Sequence, residues 1–227
     1  MKTMVVGLPR SGSTILCRMI NSAEDSVCLS EPHFEAQSLR THKFFNDPKI
    51  SELDLKVCIE NEMPLNAAMS RLDKTFKVSA FKETFRPMPF MQWGLCNEEL
   101  LQTYKSNNYR VIGIVRSPLN NFNSWRSTGW GDWTSDVNVF IESYRRILQF
   151  CGDDVIRYED LLYSPEHVMN KLGMTFSGLK PMAAEFGDLE ALESVSVRKE
   201  KKNPCVLSAE DINAIDESGL QSLYDAL

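Results

Sequence analysis

Eight residues near the N-terminus, Gly7-Leu8-Pro9-Arg10-Ser11-Gly12-Ser13-Thr14, have the types and spacing that hold an anion. Glycines let a backbone curl until successive N–H groups point into the curl. A helix starting there adds about half a positive charge at its N-terminus. The outline is GxxxxGK[ST], the glycine-rich phosphate loop, but Ser13 stands where that pattern has lysine. The cation sits inside the loop instead, at Arg10. The apolar run 111–115 ends on Arg116, and no apolar run ends on an aspartate able to hold Mg²⁺. A nucleoside triphosphate brings heavy charge and normally a metal. This loop suits a less charged phosphoester, neutralised by arginine, and no metal is expected. Arg116, at a strand end beside a helix start, reads as a second anion site or as a structural ion pair. Ser11 is not a nucleophile elbow, because Pro9 occupies the place of the first glycine of GxSxG.

The elements that must position these residues alternate. Residues 4–6 form a strand candidate, and residues 13–22 put Ile15, Leu16, Met19 and Ile20 on one helical face. Short apolar or β-rich runs follow at 27–29, 76–81, 111–115 and 154–157. Helical patterns lie between and after them at 34–45, 64–72, 97–106, 137–150, 165–172 and 209–215, and Pro118 can open another. Strand–helix alternation predicts an α/β three-layer sandwich with a central, mainly parallel sheet, its phosphate-binding turn after the first strand. Nothing divides residues 1–227, which read as a single domain. Residues 34–75 and 126–136 are candidate insertions that shape the pocket of a second substrate.

Composition narrows the partners. With 25 basic and 31 acidic residues the net charge is −6, which argues against nucleic-acid binding. No window approaches the ~18 apolar residues of a membrane span, and the apolar start is too short for a secretory signal. The chain begins about one strand before the phosphate loop, so no membrane anchor is expected. The cysteines at 17, 28, 58, 96, 151 and 205 show no CxxC spacing, and several lie among apolar neighbours. They are expected to be buried free thiols, which points to a reducing cytoplasm. There is no HExxH or comparable metal spacing.

Three blocks together resemble the sulfotransferase superfamily, whose members use 3′-phosphoadenosine 5′-phosphosulfate (PAPS) and leave 3′-phosphoadenosine 5′-phosphate (PAP). Leu8-Pro9-Arg10-Ser11-Gly12-Ser13-Thr14 resembles the family's 5′-phosphosulfate loop, in the arginine form of its bacterial and tyrosylprotein branches. The strand 111–115, then Arg116-Ser117-Pro118 and Ser124 eight positions after the arginine, resembles the 3′-phosphate block. Tyr158-Glu159-Asp160-Leu161-Leu162 with Pro165 resembles the YEDL segment, whose tyrosine lies near the adenine. The blocks occur in family order and span residues 4–165.

The resemblance implies sulfuryl transfer to the hydroxyl of a small-molecule, carbohydrate or peptide acceptor. Such a reaction needs in-line holding, charge stabilisation and removal of the acceptor proton. Arg10, the amides of 11–14 and the hydroxyls of Ser13 and Thr14 would stabilise charge. Lys82, which follows the strand read over 76–81 as a family lysine follows a central strand, is a further candidate. The base implied is Glu31, after the second short strand, with His33 the alternative and Glu35 or Glu83 behind them. A glutamate serves if its surroundings raise its pKa, whereas histidine is nearer neutrality unaided. Thr84 falls where the small-molecule branch carries its histidine. The local +3 of residues 198–202 places Arg198 and Lys199 as candidates for the cofactor, although the family's glycine there is missing. Trp125, Trp130 and Trp133 could stack on a flat acceptor or pack as core. His42 and His167 read as surface or helix residues. Two other readings remain open: a nucleotide-binding scaffold without turnover, and a small-molecule kinase.

Overall fold

The computed structural model describes residues 1–30, 65–85, 98–127, 136–175 and 206–227. In chain order its elements begin with β1 (Lys2–Gly7), α1 (Ser13–Ser22), β2 (Ser26–Ser30) and α2 (Leu65–Thr75). Then come β3 (Val78–Thr84), α3 (Glu98–Ser106), β4 (Arg110–Val115), α4 (Pro118–Arg126), α5 (Val137–Cys151) and β5 (Val155–Arg157). Four helices close the described chain: α6 (Tyr158–Tyr163), α7 (Pro165–Lys171), α8 (Ala209–Glu217) and α9 (Leu220–Asp225). The strands form one sheet in the order β2-β3-β1-β4-β5, with every pairing parallel. Parallel neighbours cannot be joined by a tight turn, so each connection crosses over through a longer segment. The helix Leu65–Thr75 serves that purpose between β2 and β3.

Register assigns the two faces. Met4 pairs with Phe81 and with Val111, and Val6 with Gly113. Phe81 packs on Tyr104 of α3 at 4.7 Å between ring centroids. A Cβ built on Gly113 would lie 3.0 Å from the Cys151 sulfur of α5. These residues therefore face α3 and α5. The alternate set, Val5, Lys82, Ile112 and Ile114, faces the opposite layer, where Lys82 meets Thr14 of α1. Helices thus cover both faces. A sheet so covered needs strands apolar throughout, and β1 and β4 are buried along nearly their whole length.

One expectation needs correction, and one open alternative is decided. The strand read over 76–81 is Val78–Thr84, so Lys82 lies within it rather than after it. Lys82 is paired on both sides, with Val5 of β1 and Ser30 of β2, and the β1 ladder keeps Glu83 and Thr84 extended past the last apolar residue. Trp125 is no acceptor platform. It is 1% exposed and packs edge-on against Phe140 at 5.3 Å and Phe122 at 6.4 Å. α6 and α9, of six residues each, were not anticipated, being too short for periodicity to register.

Cys17, Cys28 and Cys151 are free and buried; Cys58, Cys96 and Cys205 lie outside the described residues. Burial pushes the Cys28 thiol well above its usual range and that of Cys151 up to about 12. Thiolate is the reactive form. Cys28 and Cys151 should therefore resist thiol reagents at pH 8 until the protein is unfolded, and rapid native-state labelling of either would contradict this packing. The unfolded chain loses a Cys151 proton near the free-thiol value of about 8.5, while the folded state keeps it. Stability should fall as pH rises from there toward the folded value of about 12.

Candidate functional site

β1 ends at Gly7 and α1 begins at Ser13, and the turn between them is tight. The Ser11 amide donates to the Leu8 carbonyl at 3.1 Å, and the Ile15 amide to that of Gly12 at 2.9 Å. Arg10 is held at φ +66° and Gly12 at φ +96°, backbone values that L side chains rarely adopt. Gly12 is required for a second reason: a Cβ there would lie 2.2 Å from Tyr158 Cδ2. Among the described residues the amides of Gly12, Ser13 and Thr14 make no hydrogen bond to protein, and the first turn of α1 holds no acidic residue. Unpaired amides and an uncompensated helix terminus favour an anion. Asn121 of α4 braces the turn from the side, its Nδ2 donating to the Pro9 carbonyl at 2.8 Å.

The turn borders a cavity of about 260 Å³. From the turn and α1 come Pro9, Arg10, Gly12, Ser13, Thr14 and Ile15; from β3 come Lys82 and Thr84. Arg116 follows β4, Ser124 lies on α4, and Tyr158 opens α6. These residues sit at the carboxyl ends of β1, β3, β4 and β5 or in the helices that follow them. The connection after β1 runs toward β2 on one side of the sheet and the connection after its neighbour β4 runs toward β5 on the other, and such a switch point is where open parallel sheets bind ligands.

Geometry within the cavity is specific. Arg10 Nε lies 3.3 Å from Ser124 Oγ, joining the turn to α4. Lys82, only 4% exposed, donates from Nζ to Thr14 Oγ1 at 3.3 Å. The Arg116 guanidinium lies over the Tyr158 ring at 4.9 Å, a cation–π arrangement. Three cations from separate parts of the chain therefore share one concavity with a helix N-terminus.

Of the residues singled out from sequence, Pro9, Arg10, Gly12, Ser13, Thr14, Lys82, Arg116, Ser124 and Tyr158 are brought together here. The Ser11 side chain is fully buried beneath the turn and is not part of the lining. Glu31, His33, Glu35, Arg198 and Lys199 lie outside the described residues, as do Trp130, Trp133 and His42. His167 is exposed on α7. Thr84 and Ile15 were not proposed as lining, and Asn121 was not recognised as a brace. Asn121 lies 112 positions from Pro9, and no local pattern carries such a contact.

No family profile and no curated protein sequence matches the chain. Among solved structures it is similar to the sulfotransferase domain of the Synechococcus PCC 7002 olefin synthase. The match has a TM-score of 0.56 at 16% identity, covering 95% of this chain and 93% of that one. The fold is that of a sulfotransferase domain. The chain is also similar to mouse sulfotransferase SULT7A1 complexed with PAP, at a TM-score of 0.47 and 15% identity over 96% of this chain and 82% of that one. None of this chain's described helices is long and apolar enough to cross a membrane. Among the described residues no cluster of His, Cys, Asp or Glu is arranged to hold a metal ion.

Proposed function

We propose that the protein is a PAPS-dependent sulfotransferase acting on a hydroxyl acceptor. The observation that carries this reading is the convergence of Arg10, Lys82 and Arg116 on one cavity beside unpaired helix-terminal amides, with Tyr158 across it. Two separate cationic positions suit a nucleotide with phosphate at both ends of its ribose. The Tyr158 face offers a flat apolar surface for a base. Ser13 in place of the phosphate-loop lysine weighs against a kinase.

When bound, the donor supplies a sulfuryl group whose bond to the 5′-phosphate oxygen breaks as the acceptor oxygen bonds to sulfur. Arg10 and the amides of Gly12, Ser13 and Thr14 hold negative charge at the 5′ end. Lys82, fixed against Thr14, adds positive charge there and stabilises what develops in the transition state. Arg116 and Ser124 hold the 3′-phosphate. Glu31 takes the acceptor proton, with His33 the alternative. Glu31 is next in the chain after Ser30, the strand partner of Lys82.

Thermal stabilisation tests the binding step. A ligand at 100 times its dissociation constant adds about 2.7 kcal/mol, several degrees for a chain of this size. PAP should raise the melting temperature by that order, and ATP with Mg²⁺ by much less; the reverse ranking would sink the reading. Transfer of labelled sulfate to a panel of sugars, phenols and peptides then separates an enzyme from a scaffold. In Glu31→Gln, transfer should fall by about 10²–10⁴ with PAP binding retained. Undiminished transfer would remove Glu31 as the base.

A further inference from the structure

The chain leaves β4 at Val115, and the next two residues carry polar backbone groups that the strand ladder no longer pairs. Side chains from distant elements take them up. The Arg116 carbonyl accepts from Tyr144 Oη of α5 at 2.8 Å, and the Ser117 amide donates to Glu159 Oε1 of α6 at 3.3 Å. The other oxygen of Glu159 accepts from the hydroxyl of Tyr224 in α9. Glu159 also follows Tyr158, whose ring lies against the Arg116 guanidinium.

The segment carrying Tyr224 is tied along the same helices. The Val206 amide donates to Asn123 Oδ1 at 2.8 Å, one residue before Ser124. Arg126 pairs with Asp211 at 2.8 Å, and Asp211 also closes the capping box of α8 with Ser208. Arg145 donates to the Ser218 carbonyl at 2.6 Å. The Arg157 guanidinium lies 5.9 Å from the centre of the Tyr224 ring and pairs with Asp160. Burial first, and the Glu159 carboxylate second, push the Tyr224 phenol above its usual range, so it remains a hydrogen-bond donor.

We infer that Tyr224 is a positioning residue for Arg116, acting through Glu159, and that it sets how strongly the site selects a ribose 3′-phosphate. This rests on the functional reading above. Without the Tyr224 hydroxyl, Glu159 Oε2 loses its donor in a confined place, and the carboxylate is free to swing off the Ser117 amide toward water. The Arg116–Ser117 link then loses the anchor that Glu159 provides, and the guanidinium is held less firmly in advance where a phosphate must meet it. The 5′ end depends on this link less directly. Its turn is held by bonds to the Leu8 and Gly12 carbonyls and by Asn121, and among the described residues none of those bonds involves Glu159 or Tyr224.

The test compares calorimetric affinities for PAP and for adenosine 5′-phosphate, which lacks the 3′-phosphate. In Tyr224→Phe the preference for PAP should fall about tenfold, with the affinity for adenosine 5′-phosphate unchanged. Ile215→Val trims a buried side chain of neighbouring α8; it should lower the melting temperature and leave the preference intact. An unchanged preference in Tyr224→Phe overturns the inference and leaves the function standing. An equal fall in Ile215→Val also overturns it, since general loosening would then account for the effect. A wild-type protein that binds both nucleotides equally overturns the functional reading, and this inference with it.

Discussion

Replacing Lys82 with methionine should leave a folded protein that transfers sulfate about 10²–10³ times more slowly, the loss expected when one preorganised charge stabiliser is removed. The position allows a clean test. Lys82 lies in the middle of a parallel sheet, between Val5 of β1 and Ser30 of β2, and is 4% exposed. Methionine has similar length and no charge, so it fills the same space. Removing a buried ammonium recovers its desolvation cost but takes away the hydrogen bond to Thr14, and the two effects oppose each other. The melting temperature should therefore shift little while the rate collapses. Affinity for PAP, which lacks the sulfuryl group, should change less than tenfold. A variant that keeps wild-type turnover would show that Lys82 braces Thr14 and does nothing in transfer. A variant that loses PAP binding outright would assign it to nucleotide retention.

Gly12→Ala should abolish measurable nucleotide binding and destabilise the fold. Two costs combine. At φ +96° an alanine is strained by ~1–3 kcal/mol. Its Cβ would also meet the Tyr158 ring at 2.2 and 2.9 Å, so the ring must leave. That ring lies against the Arg116 guanidinium, and its displacement disturbs both ends of the cavity together. The steric part can be separated with Tyr158→Ala, because residues in contact are not additive. The double variant should melt no lower than Gly12→Ala alone, although neither binds PAP. Fully additive losses would mean that the ring and the glycine do not meet in solution.

These two residues show how differently the site could be read. Gly12 lies in a pattern contained within eight consecutive residues, and everything the turn needs is local: a strand to enter, glycines to curl, a helix to follow. Arg116 was legible for the same reason, as a cation between an apolar run and a helix-opening proline. Lys82 was named but misplaced. The apolar signal of its strand stops at Phe81, whereas pairing with β2 continues to Lys82 and pairing with β1 carries the strand to Thr84. That difference changes its chemistry from an exposed strand-end cation to a buried one directed at α1.

The sequence by itself determined the α/β alternation, the anion-binding turn and the cationic residues of the cavity, because each rests on spacing within a few residues or on hydrophobic period. The tertiary structure alone decided which of them meet and what holds them. Arg10 reaches Ser124 across 114 positions, and Lys82 reaches Thr14 across 68. Tyr224 reaches Glu159 across 65, and Asn121 reaches Pro9 across 112. The strand order β2-β3-β1-β4-β5 places β1 between β3 and β4 and so makes a single cavity of their ends. A parallel sheet is assembled from crossovers, and the pairing of its strands is a property of the closed core that no local stretch of chain contains.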